Sequence, residues 1–248
     1  MALSDYGGVK ARRLTNSEKD LVRGLYDVSV DDANMVKTIE TKGYKGIEKT
    51  NHDVKAVEYF IKEKLKGTSL EDSLELVHFA LTSEDVNNLA YGLMLSSGMN
   101  EIIIPTAQKL RDFIEELAHI YRNVPMLART HGQPASPTTF GKEFKVFSSR
   151  LERQIDQMKS LELLVKLNGA SGNYNAHNAA YPNVAWTKFT KIFIAKLNDR
   201  KKIKLKPNLV TTQIEPHDTY AELFNNISRL NTILIGFNQD MWRYISDD

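Results

Sequence analysis

Apolar side chains recur along much of this chain at steps of three and four, the period of a helix with one buried face. The first clear run opens beside His52, where Val54, Val57, Phe60, Ile61 and Leu65 share a face. Lys66-Gly67-Thr68-Ser69 ends it. Ser69 with Asp72, and Thr82 with Asp85, have the hydroxyl-to-acid spacing of a helix-starting capping box, so short capped helices are predicted from both points. Residues before about position 30 are weakly patterned and predict only a loose or short helical start.

Longer stripes follow. Ile103, Ala107, Leu110, Ile114, Leu117 and Tyr121 form one. Phe140, Phe144, Phe147, Leu151, Ile155, Met158, Leu161 and Val165 form a second, after a start expected at Ser136-Pro137. Tyr220, Leu223, Ile227, Leu230, Leu234, Phe237, Met241 and Tyr244 form a third. Each implies a helix of roughly 22 to 30 residues, about twice the usual globular length, and such near-heptad faces pack into a bundle. Strand patterns are almost absent, and the predicted fold class is all-α. An N-terminal helical domain over 1–98 and a central long-helix bundle over 99–248 are the expected division.

Two segments interrupt the helical text. Residues 168–183 are rich in Gly, Asn, Ser and Ala, and residues 206–218 are extended and polar. Irregular stretches of this length inside compact domains are often functional. Between them the basic run Asn198–Lys206 reads as a solvated turn. The third stripe is still in phase at Tyr244 when the sequence reaches Ser246-Asp247-Asp248 without a glycine cap, which reads as a helix cut short.

Composition narrows the function. With 33 basic against 31 acidic residues the chain lacks the basic excess of a nucleic-acid binder, while a small anionic ligand remains compatible. It has no cysteine, which removes thiol nucleophiles, disulfides and thiolate metal sites. No apolar run approaches the ~20 residues that cross a bilayer, and the N-terminus has no signal-peptide core, so a cytoplasmic protein without membrane contact is expected.

Of 6 histidines, His78 and His119 fall in periodic text and read as packing positions. His177 lies in the Asn/Gly-rich segment and is compatible with either role. His52, His131 and His217 each sit in a polar turn beside a helix, where an imidazole can face a cleft with its tautomer fixed by a neighbour, as acid–base chemistry requires. A capping or hydrogen-bonded structural role fits each equally, with Asn51, Asp53 and Asp218 as further cap residues. No two ligands have the helical i, i+4 spacing of a metal pair, and neither a metal nor a cofactor is expected. Thr82-Ser83 at a helix start combines free backbone amides with two hydroxyls, an anion-binding arrangement or a plain cap. No phosphate loop or dinucleotide fingerprint is present. These residues suit an enzyme acting on a multiply anionic small molecule, or a structural bundle with well-capped ends.

Five stretches together, "TNHDVKAVEYFIKEKL", "HFALTSEDVNNLAYGLML", "ARTHGQPASPTTFGKE", "NGASGNYNAHNAAYPNV" and "TTQIEPHDTYAELFNNISRLNTILI", resemble the adenylosuccinate lyase family within the fumarase and aspartase superfamily. "TSEDVNN" and "THGQP" have superfamily-wide counterparts. "NHDVKAVE" and "TTQIEPHD" point to the adenylosuccinate branch over argininosuccinate lyase, which stays the alternative together with a non-catalytic helical protein. The resemblance implies a long-helix bundle and β-elimination of fumarate from adenylosuccinate and from the succinylated carboxamide ribotide. It implies His131 as general acid at the leaving nitrogen and His52, with Asn51 and Asp53, at the phosphate end of the nucleotide, where it also assists His131. It also implies Thr82 and Ser83 on a succinyl carboxylate, Gln213 as a further substrate contact, and a homotetramer with shared active sites.

The chain also departs from that family. The loop Ser-Ser-x-Met-Pro-x-Lys-x-Asn-Pro, whose serine is the family's base, has no match, and "SSGMN" at 96–100 lacks the continuation. The family's N-terminal Arg-Tyr contact and C-terminal helical domain are not evident. The 248 residues are expected to be inactive alone.

Overall fold

The computed structural model describes residues 1–198 and 203–246. Ten α-helices and four short strands follow one another along the described chain. The core of the predicted basic run, residues 199–202, lies outside the described residues. The chain divides into two compact units, one of Met1–Tyr91, Val165–Leu197 and Lys206–Pro216, the other of Gly92–Leu164, Asn198–Leu205 and His217–Asp248.

The first unit opens with α1 (Ala2–Tyr6), α2 (Asn16–Gly24) and α3 (Val30–Thr41). Thr15 with Glu18 and Ser29 with Asp32 form complete capping boxes, which start α2 and α3 where the apolar pattern is weak. α4 (Asp53–Leu65) buries Ala56 and Phe60 against Ile39 of α3, with Met35, Val36, Tyr44 and Ile47 around them. The helix predicted from Ser69 is a 3₁₀ turn over Glu71–Leu76, and no side chain caps it. Its expected capping acid, Asp72, instead accepts the guanidinium of Arg12 at 2.7 Å. That guanidinium also grips Glu18 at 2.7 Å, so it fastens the α2 start to the 3₁₀ turn.

α5 (Ser83–Gly98) does begin at Thr82 as predicted, runs through one π-helical turn (Met99–Ile103), and continues as α6 (Ile104–Ile120). His78 is not in a helix: its φ of 62°, with 57° at Ala80, places both in the left-handed region just before α5. The reading of His78 as a helical packing position is corrected accordingly. α8 (Asn175–Ala180) and α9 (Trp186–Leu197) complete this unit, where Tyr174, Val184 and Trp186 pack with Leu3, Tyr6, Phe79 and Phe189.

In the second unit α7 (Phe140–Ser160) turns its predicted stripe inward, and α10 (Asp218–Ser246) buries Leu223 and Leu230 of its own. α6 buries Ile114 of its own stripe while Ile103 and Tyr121 are exposed, and Ala118 and Ile233 join the buried face from outside the predicted stripes. Ile114 and Ala118, then Phe144, Leu151, Ile155 and Met158, then Leu223, Leu230 and Ile233, are all buried. Phe147 meets Phe237 edge-on at 5.2 Å, and Phe140 meets Tyr244 at 5.5 Å. α7 and α10 have 21 and 29 residues, close to the predicted lengths.

The fold is mostly helical, as predicted, with two short strand pairs beside the helices. β1 (Pro125–Thr130) and β2 (Gln133–Thr139) form an antiparallel hairpin, and β3 (Glu162–Val165) pairs with β4 (Lys204–Pro207). Prolines at 125, 134 and 137 forbid a helix here, and in an isolated two-stranded ribbon an absent proline N–H can face outward without breaking a ladder. The start expected for α7 at Ser136-Pro137 moves with this. Pro137 pairs with Leu127 in the hairpin, and α7 begins at Phe140, with the Thr139 hydroxyl accepting from the Lys142 amide at 3.3 Å.

Candidate functional site

The α5 start is held by a single buried carboxylate. Asp85 Oδ2 accepts the Thr82 amide at 3.0 Å, the acid half of the predicted capping box. The same carboxylate accepts the amide of Asn168 at 3.0 Å and that of Gly169 at 3.0 Å, and its Oδ1 lies 2.8 Å from Lys166 Nζ. Asp85 and Lys166 are both fully buried. Lys166 Nζ donates also to the Gly169 carbonyl at 3.1 Å, and Asn88 holds the Lys166 backbone from both sides, at 2.7 and 3.0 Å. The start of the irregular segment, at Asn168 and Gly169, is therefore fixed by hydrogen bonds ahead of α8, which lies within that segment.

The next link runs to the polar segment before α10. Asn168 Nδ2 donates to Thr211 Oγ1 at 2.9 Å, and Gly172 packs against the backbone of Thr211 and Thr212. Gln213 follows directly and is exposed. Thr82, Ser83 and the segment bearing Gln213 are thus gathered around Asn168–Gly172 within the first unit.

His52 is the N-cap of α4, exposed, between Asn51 at a left-handed φ of 47° and Asp53. Its Nδ1 lies 3.5 Å from the Lys55 amide and 3.1 Å from Asp53 Oδ1. One nitrogen cannot serve both. A neutral Nδ1 accepts the amide in a long, weak cap, whereas a protonated Nδ1 donates to Asp53.

His78 links this corner electrostatically to the α5 start. Burial lowers its affinity for a proton, opposed by the charges of Glu58 and Asp85 and reinforced by Lys55 and His52. Glu58 is buried too; burial would raise its carboxyl, but hydrogen bonds from Lys55 and Lys62 outweigh that and leave it below the ordinary carboxylate value. His177, buried beside Trp186 and Tyr174, is likewise held below the ordinary imidazole value, by burial first, with Asp85 opposing and Lys166 assisting.

His131 belongs to the second unit and occupies the hairpin tip. It and Gly132 are the two central residues of the turn, at φ of 52° and 73°, and Thr130 pairs with Gln133 to close it. Two consecutive left-handed residues make the two-residue turn that matches strand twist, which explains the glycine. The imidazole projects from this turn into solvent. An open groove of about 490 Å³ between α7 and α10, lined by Arg150, Arg153, Gln154, Gln157 and Arg229, contains none of the predicted residues.

A family model described as "Lyase" matches residues 8–248. The chain belongs to the lyase family. Among curated relatives, the chain is similar to adenylosuccinate lyase of Escherichia coli K12, 50% identical over 219 residues, 88% of this chain and 45% of that one. It is similar also to adenylosuccinate lyase of Haemophilus influenzae, 50% identical over 216 residues, 87% and 44% of the two chains. The chain therefore spans about half the length of the curated relatives it matches. Its fold is shared with a fumarate lyase from Mesorhizobium sp. BNC1, at a TM-score of 0.56, 19% identity and 91% and 52% coverage of the two chains. It is shared also with a 3-carboxy-cis,cis-muconate lactonizing enzyme from Pseudomonas putida, at 0.64, 20%, 96% and 49%.

The sequence pattern marked His78 only as a packing position and Asp85 only as a cap, and did not single out Lys166, Asn88 or Asn168. One signal was present: Lys166 is a lone charge in the apolar run Leu163–Leu167, and a charge in such a run needs a buried partner. Among the described residues no helix is long and apolar enough to cross a membrane.

Proposed function

We propose that this lyase-family chain forms part of an adenylosuccinate lyase. The reaction eliminates fumarate from adenylosuccinate, leaving AMP, and from succinylaminoimidazole carboxamide ribotide, leaving the free carboxamide ribotide. The observation that carries the reading is the 50% identity over 219 residues with the Escherichia coli adenylosuccinate lyase.

β-Elimination requires removal of a proton next to a carboxylate, stabilisation of the doubly charged carboxylate that results, and protonation of the departing nitrogen. In this reading His131 donates that last proton, and proton transfer of this kind is worth ~10²- to 10⁴-fold in rate. A two-residue turn with both residues at left-handed φ gives the Cα–Cβ bond of His131 one direction, which favours such a role. Thr82 and Ser83 grip a succinyl carboxylate with their hydroxyls, at the positive end of the α5 dipole. His52 meets the 5′-phosphate, flanked by Asn51 and Asp53, and assists His131. Gln213 contacts the substrate from the segment anchored by Asn168. The active form is a cytoplasmic homotetramer with sites shared between subunits, its ligands being nucleotides and fumarate.

The sequence contains no Ser-Ser-x-Met-Pro-x-Lys-x-Asn-Pro stretch, and with it the base is missing. We therefore propose that these 248 residues bind substrate without turning it over. Calorimetric titration combined with an absorbance assay of fumarate release tests both parts. Adenylosuccinate is expected to bind and argininosuccinate not, with no fumarate released. Binding of argininosuccinate alone would move the chain to the other branch, absence of any binding would favour a non-catalytic protein, and turnover at the rate of a full-length relative would refute the assignment of the missing base.

A further inference from the structure

The Asp85–Lys166 pair takes no part in the reaction just described, yet it is the junction of the site. One carboxylate accepts the amides of Thr82, Asn168 and Gly169 and the ammonium of Lys166, all at 2.8 to 3.0 Å. Those donors come from chain segments more than 80 residues apart in sequence: the Asn168 amide and Asp85 are separated by 83 positions. Lys166 returns a hydrogen bond to the Gly169 carbonyl, and Asn168 carries the linkage on to Thr211 at 2.9 Å, two residues before Gln213. A buried ion pair is a poor means of stabilising a core, because apolar replacement of both partners is often neutral. A carboxylate is, however, well suited to fixing several donors at set angles around one point.

We propose that Asp85 and Lys166 are positioning residues for ligand binding: together they hold the hydroxyl-bearing α5 start, the Asn168–Gly172 turn and the segment that presents Gln213 in one fixed arrangement. The identity of the ligand rests on the adenylosuccinate reading above, whereas the ordering of the three segments does not. The pair touches none of the predicted ligand contacts through its own side chains except by way of the backbone, so its influence is transmitted through placement alone.

The test compares the full 248-residue chain with the double substitution Asp85→Asn, Lys166→Met, which removes both charges and leaves neither partner as a lone buried ion. Amide hydrogen exchange reports order at Thr82, at 168–172 and at 211–213, calorimetry reports affinity for adenylosuccinate and for AMP, and melting reports the fold. The double variant is expected to melt cooperatively and to exchange at least tenfold faster in those three segments. Adenylosuccinate affinity should fall at least tenfold, while AMP, which lacks the succinyl group, changes less than twofold. Exchange in the three segments within twofold of the parent overturns the proposal, whatever happens to affinity. So does faster exchange with unchanged adenylosuccinate affinity. If the parent itself binds no adenylosuccinate and exchange still rises tenfold in the variant, the nucleotide reading fails and the ordering role stands. Should the double variant not fold, Asp85→Asn with Lys166→Gln repeats the comparison while keeping a hydrogen-bonding side chain at each position.

Discussion

Gly172 lies so close to the backbone of Thr211 that a methyl group on its Cα would overlap the Thr211 carbonyl oxygen. Its φ of 78° is left-handed as well. Two independent reasons thus require glycine at this point, one of conformation and one of space. Gly172→Ala is predicted to destabilise the chain by more than about 2 kcal/mol, because left-handed backbone alone costs an L-residue ~1–2 kcal/mol and the Thr211 backbone must also move. Urea unfolding measures it; a change below about 0.5 kcal/mol, the range of an ordinary surface substitution, would mean that the two segments are not held together.

Lys166→Met alone leaves the Asp85 carboxylate buried without its counter-ion. Removing one partner of such a pair costs about 3–5 kcal/mol, while removing both is often near neutral. Denaturant midpoints should therefore show a large loss for the single substitution and recovery of most of it when Asp85→Asn is added. Equal losses in single and double variants would show that the ion pair is not coupled.

His131→Ala should behave in the opposite way. The ring is exposed at the hairpin tip, so thermal stability is expected to stay within about 0.5 kcal/mol of the parent. In an active assembly containing this chain, loss of a general acid should lower turnover ~10²- to 10⁴-fold. A large fall in melting temperature would mark the histidine as structural instead.

Acid sensitivity follows from His177 and His78. Burial holds both imidazoles below their ordinary value of 6.5, so between that value and the depressed one the unfolded chain binds protons that the folded chain refuses. The stability they contribute is complete above pH 6.5 and is lost as the pH falls towards the lowered values. Each fully coupled proton gives a slope of up to about 1.4 kcal/mol per pH unit. Melting between pH 7 and 5 should show this decline, and His177→Phe, which keeps the aromatic contacts to Trp186 and Tyr174, should flatten it. An unchanged slope would remove His177 as the cause.

The long helices were legible because their period is local: Leu151, Ile155 and Met158 declare an inward face before any partner is known, and all three are buried. The Thr82 start was legible for the same reason, being set by residues three apart. The hairpin was not, since prolines disrupt strand alternation as thoroughly as helical period and left only His131-Gly132 as a turn signal. The Ser69 start failed because Asp72 is claimed by Arg12, a competitor 60 positions away that no local pattern reveals. Gathering Asn168 and Thr211 around the α5 start likewise depends on the Asp85–Lys166 contact, which is long-range in sequence. His78 was misassigned because helical spacing runs on through a backbone that turns left-handed there.

The most direct measurement is an NMR titration of the chain with adenylosuccinate, following the backbone amides of Thr82, Ser83 and Gln213 together with the side-chain resonances of His52 and His131. The account predicts saturable shifts at all five positions with a single affinity, and none with argininosuccinate. Saturation of the protein with these five signals unmoved, and shifts confined to other residues, would contradict it.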